Sequence, residues 1–248
     1  MMDERFTHGN SLLHKLSAKV KLVVAVFFVA VIAVSQSFTA VTAGLVLAAA
    51  LFMTARLDLS PAMKRLAGAN FFTIFLWITL PLTYGEQTTA VGPLQLSLDG
   101  LRLAALITLK TNTILLSLMA LLSTSSVANI GHALKALHIS DRLSFLLLFS
   151  YRYIFVIHQE YLRLTRAARL RCFVPGTNLH TYRTVGYLFG MTLVKSWNRS
   201  SRIHQAMLLR GFDGKLIPMD QQAMTYRDIV FLLVALTATG SLILLQLL

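Results

Sequence analysis

Between Lys21 and Arg56 the chain reads LVVAVFFVAVIAVSQSFTAVTAGLVLAAALFMTA, 34 consecutive residues without a charge. A helix rises about 1.5 Å per residue, so ~20 apolar residues cover the ~30 Å hydrocarbon core of a bilayer. The stretch is too long for one crossing, and its polar run, Ser35-Gln36-Ser37, falls near the middle. It therefore predicts two membrane helices joined by a tight, uncharged turn. Further apolar runs follow at residues 66–85, at 101–122 with Lys110 in the interior, and at 229–248. The expected fold is an all-α integral membrane protein of about five spans. Composition agrees: 56% of the 248 residues are apolar and 13% are charged, with a mean hydropathy of +0.66. Soluble chains carry roughly 25% charge, so a water-soluble globular domain is excluded.

Charge sets the expected orientation, because Lys and Arg accumulate on the cytoplasmic side. Arg5, Lys15, Lys19 and Lys21 precede the first span, and Arg56, Lys64 and Arg65 lie between the second and third. The turn at Ser35 is uncharged, and the loop from Glu86 to Asp99 carries only acids. The N-terminus is expected inside and, with five spans, Leu248 outside. Met1-Met2-Asp3-Glu4-Arg5 opens no short apolar core with a small-residue cleavage site, so no removable signal peptide is expected. The single Cys172 excludes an intrachain disulfide and suits a reducing compartment.

The expected organisation is membrane helices over 1–122, a cytoplasmic segment over 123–225 and a final membrane helix over 226–248. From Arg163 to Lys215 the middle segment holds ten Lys or Arg residues against one acid, Asp213. Such a run crosses a bilayer only at high cost. A rival span at 143–157 would be 15 residues long, contain Arg152 and put these cations on the wrong side. Three cytoplasmic helices are expected instead, at 127–137, 141–171 and 182–210. Ser125 or Ser126 can cap the first, Ser140 precedes the second, and Pro175-Gly176-Thr177-Asn178 separates the last two. Leu143, Leu146, Leu147, Ile154, Ile157, Tyr161 and Leu164 stripe one long helix; Tyr182, Val185, Phe189, Leu193, Ser196, Ile203 and Met207 stripe the other. Mutual packing of the two is expected to cover most of both stripes, with Gly186, Gly190, Ser196 and Ser200 allowing close approach. A partner or the underside of the membrane domain would cover the rest.

The ends of the two long helices repeat at an offset of 39 residues. Arg163, Ala167, Leu170, Arg171, Cys172 and Phe173 align with Arg202, Ala206, Leu209, Arg210, Gly211 and Phe212. One reading is a pair of well-made helix stops: Arg favours the negative end of the helix dipole, Gly211 ends a helix, and the Phe tucks back. The other is that Arg171 and Arg210 dock bidentately into acidic grooves of other proteins.

With these triads the chain resembles the transmembrane T component of energy-coupling-factor transporters, of the CbiQ and NikQ type that serves cobalt or nickel uptake. That family carries two Ala-Arg-Gly-like signatures at the ends of two coupling helices. Leu170-Arg171-Cys172 and Leu209-Arg210-Gly211 match them, departing at the first position of each and at Cys172. Ser11-Leu12-Leu13-His14-Lys15-Leu16-Ser17-Ala18-Lys19-Val20-Lys21 resembles the family's approach to its first span, with Ala18 where proline is common. The resemblance implies a non-catalytic coupling subunit in the bacterial cytoplasmic (inner) membrane. Its implied partners are two ABC-type ATPase subunits, a substrate-binding membrane subunit for cobalt or nickel, and a small accessory membrane subunit. ATP and Mg would be bound by the ATPases, leaving no cofactor in this chain. Arg163, Ala167, Arg202 and Ala206 would support the coupling helices behind the triads.

The chain lacks a Gly-x-x-x-x-Gly-Lys-Ser/Thr loop, since Gly214-Lys215 is followed by Leu216, and it lacks His-Glu-x-x-His and Gly-x-Ser-x-Gly. Seven histidines (8, 14, 132, 138, 158, 180 and 204) are scattered without tight ligand spacing, so no metal site is expected. Lys110 is costly inside a span: it either snorkels outward, bonds a neighbour such as Asn112, or meets a substrate-binding subunit. With 21 of 23 cations assigned to the inner side, anionic lipids and acidic protein surfaces explain the charge better than nucleic acid. The competing function is a stand-alone membrane transporter or membrane enzyme, with Lys110, Thr111, Asn112 and Thr113 as its one mid-bilayer polar cluster.

Overall fold

The computed structural model describes residues 11, 13–84, 88–91, 94–137, 139–213 and 225–247. The chain forms two compact units, residues 134–219 and, apart from them, residues 2–133 with 220–248.

The membrane unit begins with a short turn at Leu13–Lys15 that leads into α1 (Ala18–Val34). The break at Ser35 falls as expected, and α2 (Phe38–Ala55) starts under a cap in which Ser37 Oγ accepts the Ala40 N–H at 3.4 Å. After it come α3 (Leu59–Thr83), α4 (Leu98–Leu122) and, beyond the insert, α8 (Tyr226–Leu247). Among the described residues, α2, α3, α4 and α8 are long and apolar enough to cross a membrane. α1 has 17 residues, at the short end of the spanning range of ~17–25. The chain is an all-α, multi-pass membrane protein.

α3 starts seven residues before the expected apolar run and takes Lys64 and Arg65 into its first turns. The acidic loop holds a feature the charge pattern did not announce: β1 (Thr88–Val91) and β2 (Leu94–Ser97) pair antiparallel, with Thr88 opposite Ser97. β2 runs directly into α4, whose start is capped by Ser97 Oγ accepting the Gly100 N–H at 3.3 Å. Gly100 is required there, because a Cβ would strike the Leu80 carbonyl and the Pro81 backbone of α3.

α4 packs against α1, α2 and α3, and α8 lies on α1 and α2. The core between them joins Val20, Val24 and Ala25 of α1, Phe52 and Ala55 of α2, and Ala120 and Leu121 of α4. Small residues dominate the buried helix faces, Ala40, Ala48, Ala104, Thr113 and Ser117 among them, as suits association where lipid removes the hydrophobic drive between helices. The hydroxyls of Thr108, Thr111 and Thr113 are spent on carbonyls four residues back in their own helix.

Between α4 and α8 the chain forms α5 (Val127–Ala136), which starts in the membrane unit, and then α6 (Asp141–Leu170) and α7 (Leu179–Leu209), which make up the insert. Ser126 Oγ caps α5 through the Asn129 N–H at 3.2 Å, and Asn178 Oδ1 caps α7 through the Thr181 N–H at 2.9 Å. Ser140 precedes α6 without a side-chain cap bond. Residues 143–157 are the first half of the unbroken α6 rather than a separate helix.

The expectation that α6 and α7 cover one another's stripes is corrected. The residues they bury are Ser144, Glu160, Thr181 and Thr192, whereas Leu143, Leu146, Ile154, Tyr182, Phe189 and Leu193 are exposed. A Cβ at Gly186 or Gly190 would meet nothing within 4 Å, so these glycines are not points of close approach. The helices instead meet at separate contacts: Phe145 with Phe212 (ring centroids 5.4 Å apart), Glu160 with Lys195, and Tyr161 stacked on Phe189 at 5.0 Å.

Candidate functional site

Both long helices end in the same backbone device. At α6 the Phe173 N–H donates to the Ala168 carbonyl at 3.1 Å and the Cys172 N–H to the Arg169 carbonyl at 3.0 Å. At α7 the Phe212 N–H donates to the Met207 carbonyl at 3.1 Å and the Gly211 N–H to the Leu208 carbonyl at 3.0 Å. Each is a Schellman stop, with its arginine at the C-cap and the next residue left-handed, at φ 62° for Cys172 and 75° for Gly211. The 39-residue repeat is thus a repeat of conformation as well as of residue type. Cys172 holds a conformation that favours glycine, at a steric cost of ~1–2 kcal/mol.

The stops leave their side chains outward. Arg171, Cys172, Arg210 and Gly211 are exposed, and so are Leu170 at 86% and Leu209 at 90%. A leucine that bare beside a guanidinium is an incomplete surface, since large aliphatic side chains stabilise a fold only when covered. The aromatic partners differ from expectation: Phe212 packs on Phe145 at the start of α6 rather than on its own helix, and Phe173 lies 6.2 Å from the His180 ring.

The Phe145–Phe212 contact makes the pair antiparallel, so the two triads lie at opposite ends of it. From Phe145 to Arg171 is 26 residues, or about 39 Å of helix. The arrangement presents two separated, similar exposed surfaces rather than one combined patch.

Between the ends the pair is pinned by a group the sequence reading missed. Glu160 is the one acid between Asp141 and Asp213, and its side chain is buried among cations. Lys195 Nζ lies 2.8 Å away on α7, with Arg199 and Arg163 each at 3.5 Å. The hydrogen bond from Lys195, reinforced by the three positive charges, holds the Glu160 carboxyl below its ordinary value of 4.5. A lone acid in a strongly basic stretch was the available signal. Beside it opens a groove of about 790 Å³ lined by Phe149, Tyr153, Ile157, Trp197, Arg199 and Ile203.

Of the four supporting residues, Arg163 joins the Glu160 cluster, while Ala167, Arg202 and Ala206 are exposed. Lys110 Nζ donates to the Ala33 carbonyl at 3.0 Å, in the last turn of α1, so it bonds a neighbouring helix end rather than Asn112. A cation there answers carbonyls with no partner inside their own helix. No three His, Cys, Asp or Glu side chains come together as a metal site among the described residues; His8 and His138 lie outside them.

Over residues 9–222 the chain matches the CbiQ family, described as cobalt transport protein. It is 31% identical over 120 residues to the nickel permease LarQ of Lactiplantibacillus plantarum, a match covering 48% of this chain and 43% of that protein. Two uncharacterized proteins of Methanocaldococcus jannaschii are also similar. One is 28% identical over 101 residues (40% of this chain, 37% of that protein), the other 21% identical over 250 residues (97% and 85%). The chain thus spans about two fifths of the length of the first two relatives.

Proposed function

The chain belongs to the CbiQ family of cobalt transport proteins, and we propose that it is the non-catalytic coupling subunit of an ATP-driven importer for cobalt or nickel. In this reading α6 and α7 lie on the cytoplasmic side of a bacterial inner membrane, with the N-terminus inside. Two ABC-type ATPases, which bind ATP and Mg, dock on the triads Leu170-Arg171-Cys172 and Leu209-Arg210-Gly211. Their closure is passed to a substrate-binding membrane subunit that carries the metal.

The observation that carries the reading is the pair of matched helix stops, each presenting an exposed Leu-Arg step, at opposite ends of one antiparallel pair. A helix stop alone does not need a bare leucine. Two like ATPases need two like attachment points, and an arginine beside an aliphatic side chain suits an acidic-rimmed apolar groove. A stand-alone transporter gains less support, because Lys110 is already committed to the end of α1.

The test is Arg171→Ala with Arg210→Ala in the assembled importer. A guanidinium docked in an acidic groove leaves its carboxylate unpaired when truncated, a loss of roughly 2–5 kcal/mol, against ~0.3–1 kcal/mol for one that decorates a helix end. The double variant is expected to insert normally, lose metal uptake and retain less ATPase on affinity purification. Arg183→Ala, at the start of α7, is expected to be nearly silent. Parental uptake and copurification in the double variant would reduce the triads to helix stops.

A further inference from the structure

Two buried charges belong to neither triad. Lys21 is 1% exposed and Asp228 2% exposed, and both lie within the membrane unit, beside the end of α4 and the start of α8. Lys21 Nζ donates to the Thr124 carbonyl at 3.4 Å, to Thr124 Oγ1 at 3.2 Å and to Ser125 Oγ at 3.0 Å, where the chain leaves α4. Asp228 Oδ1 accepts the Ser17 N–H at 2.8 Å, and Oδ2 accepts the Thr225 N–H at 2.9 Å, where the chain returns into α8. Ser17 and Lys21 are one turn apart on α1.

From this geometry we infer that the start of α1 forms a latch, in which Lys21 holds the chain as it leaves α4 and Ser17, through Asp228, holds it as it enters α8. Ser125 and Thr225, 100 residues apart in sequence, are thus both linked to the first turn of α1, Thr225 by way of Asp228. The latch makes Lys21 and Asp228 positioning residues for coupling, because it ties the end of α4 and the start of α8 to one turn of α1, so that the three helix ends move together. The lead-in supports this use, with Ser11 Oγ bonded to His14 Nδ1 at 2.6 Å and Leu13 buried in the core below it. Burying an ammonium on neutral oxygens costs far more than burying a methionine, so packing alone does not account for Lys21. The functional half rests on the coupling role proposed above; the geometric half does not.

The experiment has two arms. In the detergent-solubilised full chain, hydrogen exchange is followed over residues 122–130 and 225–231. Lys21→Met is expected to speed exchange over 122–130 by about tenfold or more, Asp228→Asn over 225–231, and Lys19→Met at neither. In proteoliposomes holding the assembled importer, Lys21→Met is expected to leave the ATPases bound and hydrolysing while metal imported per ATP falls about tenfold. Parental exchange over 122–130 in Lys21→Met, or over 225–231 in Asp228→Asn, overturns the latch. Faster exchange with unchanged import per ATP overturns its part in coupling. If Lys21→Met does not fold, Ser125→Ala, which removes one acceptor, decides instead: faster exchange over 122–130 upholds the latch and parental exchange overturns it. Should the parent chain retain no ATPase, the coupling role fails while the exchange arm still reads the latch.

Discussion

Cys172 occupies the backbone region that its counterpart Gly211 enters freely. Replacing it with glycine removes the Cβ clash and leaves the two stop bonds in place, so Cys172→Gly is expected to stabilise the end of α6 by about 1 kcal/mol. A rise in the thermal midpoint of the solubilised chain checks this, and a fall would mean the thiol makes a contact that outweighs the strain. Glu160 gives a pH-dependent counterpart. Its carboxyl is held below 4.5 by Lys195, so its stabilisation is complete above that value and is lost as pH falls through the folded-state value. Glu160→Gln is accordingly expected to melt earlier than the parent at pH 7, with the gap closing below pH 4.5. A gap that stays constant with pH would assign the effect to shape rather than charge. Lys110 was legible as an anomaly, but its partner was not, because Ala33 lies 77 residues away and a backbone carbonyl has no sequence signature.

The helices themselves were the most legible features, because caps, apolar runs and charge breaks are local. The break at Ser35-Gln36-Ser37, the caps at Ser126 and Asn178, and the near-coincidence of α5, α6 and α7 with expectation follow from spacing alone. What the elements do to each other was less so. Periodicity correctly marked the apolar faces of α6 and α7 and wrongly assigned each to the other, since a stripe says that a face leaves water and not what covers it. The junction of α3 with α4 shows the same limit: Gly100 is one of 13 glycines, and only the approach of the Leu80 carbonyl makes it irreplaceable. Gly100→Ala is expected to force α4 away from Pro81 and destabilise the membrane unit by about 1–3 kcal/mol. The Trp77 Nε1–Thr108 Oγ1 hydrogen bond, 2.9 Å long and joining the same two helices, should break with it, which Trp fluorescence would report.

For the whole molecule, charge asymmetry predicts an orientation that Cys172 can test, being the single cysteine and exposed. A membrane-impermeant thiol reagent is expected to spare it in intact cells and label it in inverted vesicles; labelling of intact cells would reverse the orientation. The isolated chain is expected neither to hydrolyse ATP nor to bind cobalt or nickel with submicromolar affinity, which calorimetry on the purified chain would read. Membrane class, span positions, the basic insert and the arginine repeat were determined by the sequence itself, because apolar length, charge and helix stops act over a few residues. Tertiary structure alone decided that the repeated triads lie at opposite ends of an antiparallel pair, that Glu160 pins that pair, and that Lys21 and Asp228 tie the end of α4 and the start of α8 to α1. The Lys21 and Asp228 contacts join groups 103 and 211 residues apart. Over such separations a buried charge announces that it needs a partner, and only the packing of the helices determines which one it meets.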